Sequence, residues 1–314
     1  MNRPDDQFTT VGGHQVRYWQ VGREGSAVVC LHGIGCSVLE WEHSIHALAT
    51  RHRVYALDLL GCGLTAKPSD ATYDVATLAR FALGFMDAVG LEKASLVGNS
   101  LGARVSIECA AMAPQRVQSL VLSAPATMAN PTLFDFRLAS LPVLGELLTQ
   151  PTAFGTARLW RTAVADPACI TPEMVQEKVA LARQPGAQKA FMKTLRGLVH
   201  LRGFRPSVMD DAHAKARCIQ APTCVIWGRQ DVFLPVAHLD TLMRLMPHAK
   251  PVVLAPCGHV PMLERPADFS RIALDFLSDA GVDPPSNGAA SGRGGSAEQD
   301  VSRFYANPAI DRGR

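Results

Sequence analysis

No stretch of this 314-residue chain approaches the roughly 18 uninterrupted apolar residues that a membrane-crossing helix needs, so no span is expected. Charge of one sign is also missing. Lys+Arg 31 against Asp+Glu 28 gives +3, and no Lys/Arg run interleaves with aromatics, so nucleic acid is not expected as a partner. The eight cysteines (30, 36, 62, 109, 169, 218, 224 and 257) form no C-x-x-C and no zinc-ligand pairing. No metal and no organic cofactor is implied. Residues 1–7 are polar and lack the apolar core of a signal peptide, so the thiols read as reduced groups of a cytoplasmic protein. Internal repeats are absent. What is present, 47% apolar and 19% charged residues, describes a globular chain able to bury a large core.

Residues 1–7 read as a loose lead-in. Phe8–Val11 and His14–Gln20 flank Gly12-Gly13 and predict a β-hairpin. Continuous apolar runs at Ala27–Leu31, Val54–Leu57, Ala94–Val97, Leu120–Leu122, Thr223–Trp227 and Val252–Leu254 predict further strands, most covered on both faces. Helical segments alternate with them at Val38–Ala49, Leu101–Ala113, Pro235–Met246 and Pro266–Leu277. Another opens on Asp74 as N-cap and carries Val75, Leu78, Ala82, Phe85 and Val89 on one stripe. Such alternation implies an α/β protein with a mostly parallel eight-stranded sheet flanked by helices.

The alternation stops between 127 and 216. Only helical segments are expected there, one of them through Phe134, Phe136, Leu138 and Leu141, another capped by Thr171 ahead of Pro172. One crossover needs far fewer residues, so this stretch reads as a helical cap inserted after the sixth strand. The expected division is a core of 1–126 and 217–280, a cap of 127–216, and a disordered tail of 281–314 rich in Gly, Ser and charge.

Gly98-Asn99-Ser100-Leu101-Gly102 lies where a strand passes into a helix. In that setting G-x-S-x-G lifts the serine hydroxyl clear of the sheet and aims the first helix amides at whatever it attacks. Loops at the C-terminal ends of parallel strands gather functional groups, and three more of them carry what acyl transfer requires. Ser100 is the candidate nucleophile, His259 the base, and Asp231 the carboxylate holding the other ring nitrogen. The backbone amides of Ile34 and Leu101 are the candidate oxyanion donors, with Gly33 and Asn99 beside them. Phe134, Phe136, Leu138, Trp160 and Phe191 are candidate apolar walls, and Val260 follows the histidine. Asp58 precedes Ser100 and reads as a loop organiser, His32 as a loop buttress. Glu264 reads as a helix-start residue complementing the dipole, and Arg104 as a solvated helix residue. The constellation points to a serine hydrolase cleaving small carboxylic esters through an acyl-enzyme.

Leu31-His32-Gly33, Asp58-Leu59-Leu60-Gly61-Cys62-Gly63, Gly98-Asn99-Ser100-Leu101-Gly102, Gly228-Arg229-Gln230-Asp231 and Gly258-His259 with Glu264 together resemble the α/β-hydrolase superfamily. The resemblance spans residues 8–277 and implies the α/β-hydrolase fold. The serine at the elbow separates the chain from haloalkane dehalogenases and epoxide hydrolases, which use an aspartate there. Asn99 resembles the meta-cleavage-product hydrolases, which break a C–C bond in a vinylogous 1,5-diketone. Ile34 stands where that subfamily carries a glycine run, and Val260 where it carries tryptophan. C–C hydrolysis of ring-fission products is therefore the alternative activity. Acyl transfer, perhydrolysis and a non-catalytic ligand receptor are more distant readings.

Overall fold

The sheet begins as an antiparallel hairpin, Gln7–Val11 (β1) with His14–Val21 (β2), in which Val11 pairs with His14 across Gly12-Gly13. The computed structural model describes residues 3–280. After the hairpin come Ala27–Leu31 (β3), Arg53–Leu57 (β4), Ala94–Asn99 (β5) and Val117–Ser123 (β6). A separate ribbon of Val199–His200 (β7) and Gly203–Phe204 (β8) precedes Thr223–Gly228 (β9) and Lys250–Leu254 (β10). The eight-stranded sheet has the order β1-β2-β4-β3-β5-β6-β9-β10. Only the β1–β2 and β2–β4 pairs are antiparallel, so the sheet is mostly parallel, as expected.

That order places the site. The chain leaves β3 for β4 on one side, then returns to lay β5 on the other, so strand order reverses at β3. A crevice opens at such a switch point, beyond the carboxyl ends of the two strands. Leu31 pairs with Gly98 in the ladder, which brings the His32–Ile34 loop and Ser100 side by side.

β3, β5 and β9 are buried along their whole length because helices cover both faces. Val75–Ala88 and Leu101–Met112 pack against each other on one face, followed by Pro206–Cys218 and His238–Leu245. Ile45–Leu48 and Pro266–Ala280 pack on the other. Trp41 and Phe269 meet beneath them at 6.1 Å, each burial stabilising by about 1.5–3 kcal/mol. Asp74 caps its helix as expected, accepting from Thr77 N, and Thr171 does the same for Met174 N.

Four local expectations are corrected. Val38–Ala49 is not one helix: a 3₁₀ turn Val38–Trp41 ends and Ile45–Leu48 starts afresh. Two long-range anchors override the helical pattern, Asp58 Oδ1 accepting from Val38 N and Ser44 Oγ donating to Met262 O. The lead-in is tied down from Arg3 onward, for Arg3 pairs with Glu42 and Glu177 and Asp6 accepts from Trp19 Nε1 at 2.7 Å. The inserted stretch contains the β7–β8 ribbon, fixed by Phe204 N donating to Asn130 Oδ1 and too short for any periodicity. Its first helix stops at Ala139 and a second, Leu144–Leu148, follows Pro142. The helix that ends it, Pro206–Cys218, packs on Leu101–Met112. The tail expected at 281–314 lies outside the described residues, as does the pair Phe304-Tyr305.

Candidate active site

Ser100 leaves β5 with φ +55° and ψ −112°, a strained conformation costing about 1–3 kcal/mol. Its neighbours hold it there. Ser100 N donates to Ser123 O at 2.8 Å, and Ser100 O accepts from Arg104 N and Ala126 N, each at 3.1 Å. Glycine is required on both sides of the turn. A Cβ on Gly98 would lie 2.5 Å from Ala103 N, and one on Gly102 would collide with Leu31 O. The serine therefore sits at the start of Leu101–Met112, where the helix presents unpaired N–H groups.

The loop after β3 faces the serine. His32 Nδ1 donates to Gly33 O at 2.7 Å, and its Nε2 accepts from Leu59 N at 3.0 Å. Both ring nitrogens are thus committed, which makes His32 a brace and leaves it no role as a base. Gly33 O also accepts from Cys36 N, and Gly33 N donates to the buried Glu40 Oε2 at 3.1 Å. With both polar groups of Gly33 engaged, the next amide, Ile34 N, is the loop's candidate free donor; among the described residues neither it nor Leu101 N is paired with a backbone carbonyl outside the helices and strands. Asp58, wholly buried, organises the adjoining loop by accepting from Arg17 Nε, Val38 N and Leu64 N, each at 2.7 Å.

Asp231 and His259 come together from the ends of β9 and β10. His259 Nδ1 lies 2.7 Å from Asp231 Oδ2, while Asp231 Oδ1 accepts from Phe233 N and Leu234 N at 2.8 and 2.9 Å. The carboxylate accepts at both oxygens, so Nδ1 carries its hydrogen and Nε2 keeps a lone pair. The Phe233 ring lies 5.0 Å from the imidazole and fixes its plane.

Glu264 is not a dipole-complementing helix residue. Its Oε2 accepts from Gly258 N at 2.7 Å and its Oε1 from Ala165 N and Asp166 N at 2.8 and 2.9 Å. It clamps the His259 loop to the inserted stretch, and His259 N adds a bond to Ala163 O at 2.6 Å. Glu264→Ala should lower kcat by about 10²-fold with little change in KM, because the imidazole loses its position. Glu264→Gln, which still accepts at one oxygen, should recover part of it, and steady-state kinetics on a chromogenic ester read both.

Ser100, Leu101, Ile34 and His259 line one cavity with Thr132, Phe136, Leu198, Phe204 and Phe233 among its walls. Its volume, about 30 Å³, holds a water or two. Ser100, His259 and the two candidate amide-bearing residues Ile34 and Leu101 thus border one space, the set of groups that acyl transfer would require.

The family model described as the alpha/beta hydrolase fold matches residues 26–266. The chain belongs to that family. A 2-hydroxy-6-oxononadienedioate/2-hydroxy-6-oxononatrienedioate hydrolase of Paraburkholderia xenovorans is 30% identical over 276 residues, which span 85% of this chain and 92% of that protein. The structure of a meta-cleavage product hydrolase of Pseudomonas fluorescens superposes with a TM-score of 0.74 at 26% identity, covering 87% of this chain and 98% of that one. A bacterial membrane phospholipase A superposes with a TM-score of 0.72 at 25% identity, over 88% and 86% of the two chains.

In this α/β hydrolase the candidate wall residues part company. Phe136 lines the cavity and stacks edge-on against Phe233 at 5.6 Å. Phe191 lines a neighbouring cavity with Ile34, Gly35 and Leu101. Phe134 points to solvent, Trp160 packs under the Lys178 ammonium at 3.4 Å, and neither Leu138 nor Val260 lines either cavity. Asn99 is buried with Gly33 close by, a Cβ there falling 3.6 Å from Asn99 Nδ2. Arg104, expected in solvent, is fully buried between Glu108 at 2.9 Å and Asp211 at 2.6 Å, locking the elbow helix to Pro206–Cys218. Phe233 escaped the sequence reading; its signal was its place two residues after Asp231, inside the turn that the carboxylate organises.

The cysteines near the site are held towards the neutral thiol. Burial pushes the Cys62 thiol up to about 12 and raises Cys36 and Cys257 well above the ordinary range. Among the described residues no group of three or more His, Cys, Asp or Glu could hold a metal ion.

Proposed function

We propose that this α/β hydrolase is a serine esterase, cleaving small carboxylic esters with uncharged apolar or aromatic acyl groups through an acyl-enzyme. One observation carries the reading: Ser100, His259, Ile34 and Leu101 share a cavity whose lining includes no Lys, Arg, Asp or Glu. Ser100 Oγ attacks the ester carbonyl carbon as its proton passes to His259 Nε2. Asp231 stabilises the imidazolium, and the Ile34 and Leu101 amides receive the oxyanion, each worth about 10²–10³ in rate. Collapse expels the alkoxide, which takes the proton from His259. Water, activated by the same nitrogen, then attacks the acyl-enzyme and releases the acid. The inserted stretch acts as the cap that supplies Phe136 and Phe204 as walls. The eight free thiols fit a reducing, cytoplasmic setting.

C–C cleavage of ring-fission products is the second reading, favoured by the similarity to the dienedioate hydrolase and by Asn99 before the nucleophile. A substrate with carboxylates calls for a cation in the pocket, and the lining offers none. The test is a panel of p-nitrophenyl esters from acetate to octanoate, lactones and a yellow ring-fission dienoate. We expect kcat/KM for the best ester to exceed that for the dienoate by about 10² or more, the scale on which a buried unpaired charge discriminates. Faster bleaching of the dienoate, abolished by Ser100→Ala, overturns the ester reading in favour of the second.

A further inference from the structure

Among the described residues ten large apolar side chains stand exposed, and seven of them fall between 134 and 201, in the inserted stretch. Phe154 is 82% exposed, Val143 73% and Leu147 65%, with Phe134, Leu148 and Leu201 close behind. Contacts knit them together. The Arg137 guanidinium lies 5.5 Å over the Phe134 ring and donates to Leu201 O at 2.8 Å. Helix Leu144–Leu148 packs against helix Phe134–Ala139, and Arg158 reaches from the Phe154 helix to Asp135 at 3.0 Å. Exposed apolar clusters of this kind mark binding surfaces.

The same stretch is the basic part of the molecule. Between 127 and 205 ten Lys/Arg stand against five Asp/Glu, an excess of five in a chain whose net charge is +3. Asp135 and Glu146 pair with Arg158 and Arg196, which leaves the excess of five unchanged. Phe154, Arg158 and Arg161 follow at i, i+4 and i+7 on one helix, so apolar and basic groups share a face. A second copy of this chain would set that positive excess against itself. An anionic bilayer takes both, the apolar groups entering at headgroup depth and the arginines meeting phosphates.

We propose that this face docks the enzyme on an anionic lipid surface. The proposal stands whichever bond Ser100 cleaves. It also bears on access to the site, because the helix that turns Phe134 outward turns Phe136 into a cavity with room for a water or two. Insertion of Phe134 into lipid therefore pulls on a wall of that cavity.

Sedimentation of the full chain with phosphatidylcholine vesicles, with and without about a third phosphatidylglycerol, tests it. Binding is expected to the mixed vesicles, weak binding to the neutral ones, and a fall with added salt. Leu147→Asp with Phe154→Asp should lower the vesicle-bound fraction about tenfold or more. Arg161→Glu with Arg202→Glu should weaken binding to the mixed vesicles alone. Both double variants should keep wild-type turnover of a soluble p-nitrophenyl ester, which certifies the fold, and lose any stimulation by mixed vesicles. No binding to the mixed vesicles, or binding that neither variant weakens, overturns the proposal. So does a dimer in light scattering that Leu147→Asp with Phe154→Asp dissolves while vesicle binding is absent, which would make the face an interface between copies.

Discussion

Ser100→Ala is expected to lower kcat by about 10⁶ while leaving the fold and substrate binding in place. The bonds that hold the Ser100 turn run through its backbone N and O, so removal of the hydroxyl should cost less than about 1 kcal/mol of stability. What disappears is the bond to the acyl carbon. The proposed oxyanion donors remain, because Ile34 N and Leu101 N belong to the backbone, and the variant should retain about 10³–10⁴ over the uncatalysed reaction. His259→Ala should cost about as much as Ser100→Ala, and the double variant hardly more, since the two act as a unit. Single-turnover rates and intact mass after an activated ester check this: the acyl adduct forms on the parent chain and on neither variant. A Ser100→Ala variant with more than about one hundredth of the parent rate would remove the acyl-enzyme from the mechanism.

The features that were legible in the sequence are local ones. The hairpin at Gly12-Gly13, the caps at Asp74 and Thr171 and the buried parallel strands each follow from a few adjacent residues, and the structure has them. The chain order of Ser100, Asp231 and His259 singled out residues that the switch at β3 and the neighbouring strand ends carry to one rim. What stayed hidden is set by distant partners. Arg104 reads as a surface residue until Asp211, 107 positions on, covers it. Glu264 reads as a helix start until Ala165 and Asp166 arrive from the inserted stretch. The helix break at Trp41 needs Asp58 and Met262, neither visible from the 38–49 pattern.

The inserted stretch was the least legible part for a related reason. Its first helices, Phe134–Ala139 and Leu144–Leu148, are short and expose apolar side chains, so hydrophobicity did not separate inside from outside there. Phe134 and Phe136 lie two positions apart on one turn of helix and face opposite ways. Trp160 satisfied the aromatic criterion for a wall, yet it meets Lys178 instead of the cavity.

Asp231→Asn should lower kcat by about 10⁴ with the fold and KM little changed, and the reason lies in a single proton. Asp231 Oδ1 is held by Phe233 N and Leu234 N, so the amide oxygen of an asparagine stays on those two donors. Its NH₂ then occupies the place of Oδ2, 2.7 Å from His259 Nδ1, where a donor now faces a donor. The imidazole answers by moving its hydrogen to Nε2. That nitrogen then points an N–H at the serine and has no lone pair to take its proton. Asp231→Ala differs in kind, since it strands the Phe233 and Leu234 amides at about 1–3 kcal/mol each and loosens the loop. Chemical denaturation separates the two variants, the asparagine lying within about 1 kcal/mol of the parent and the alanine well below it. Should Asp231→Asn keep more than about a tenth of the parent kcat, the carboxylate organises only the Phe233 turn, and the tautomer of His259 is set by something else.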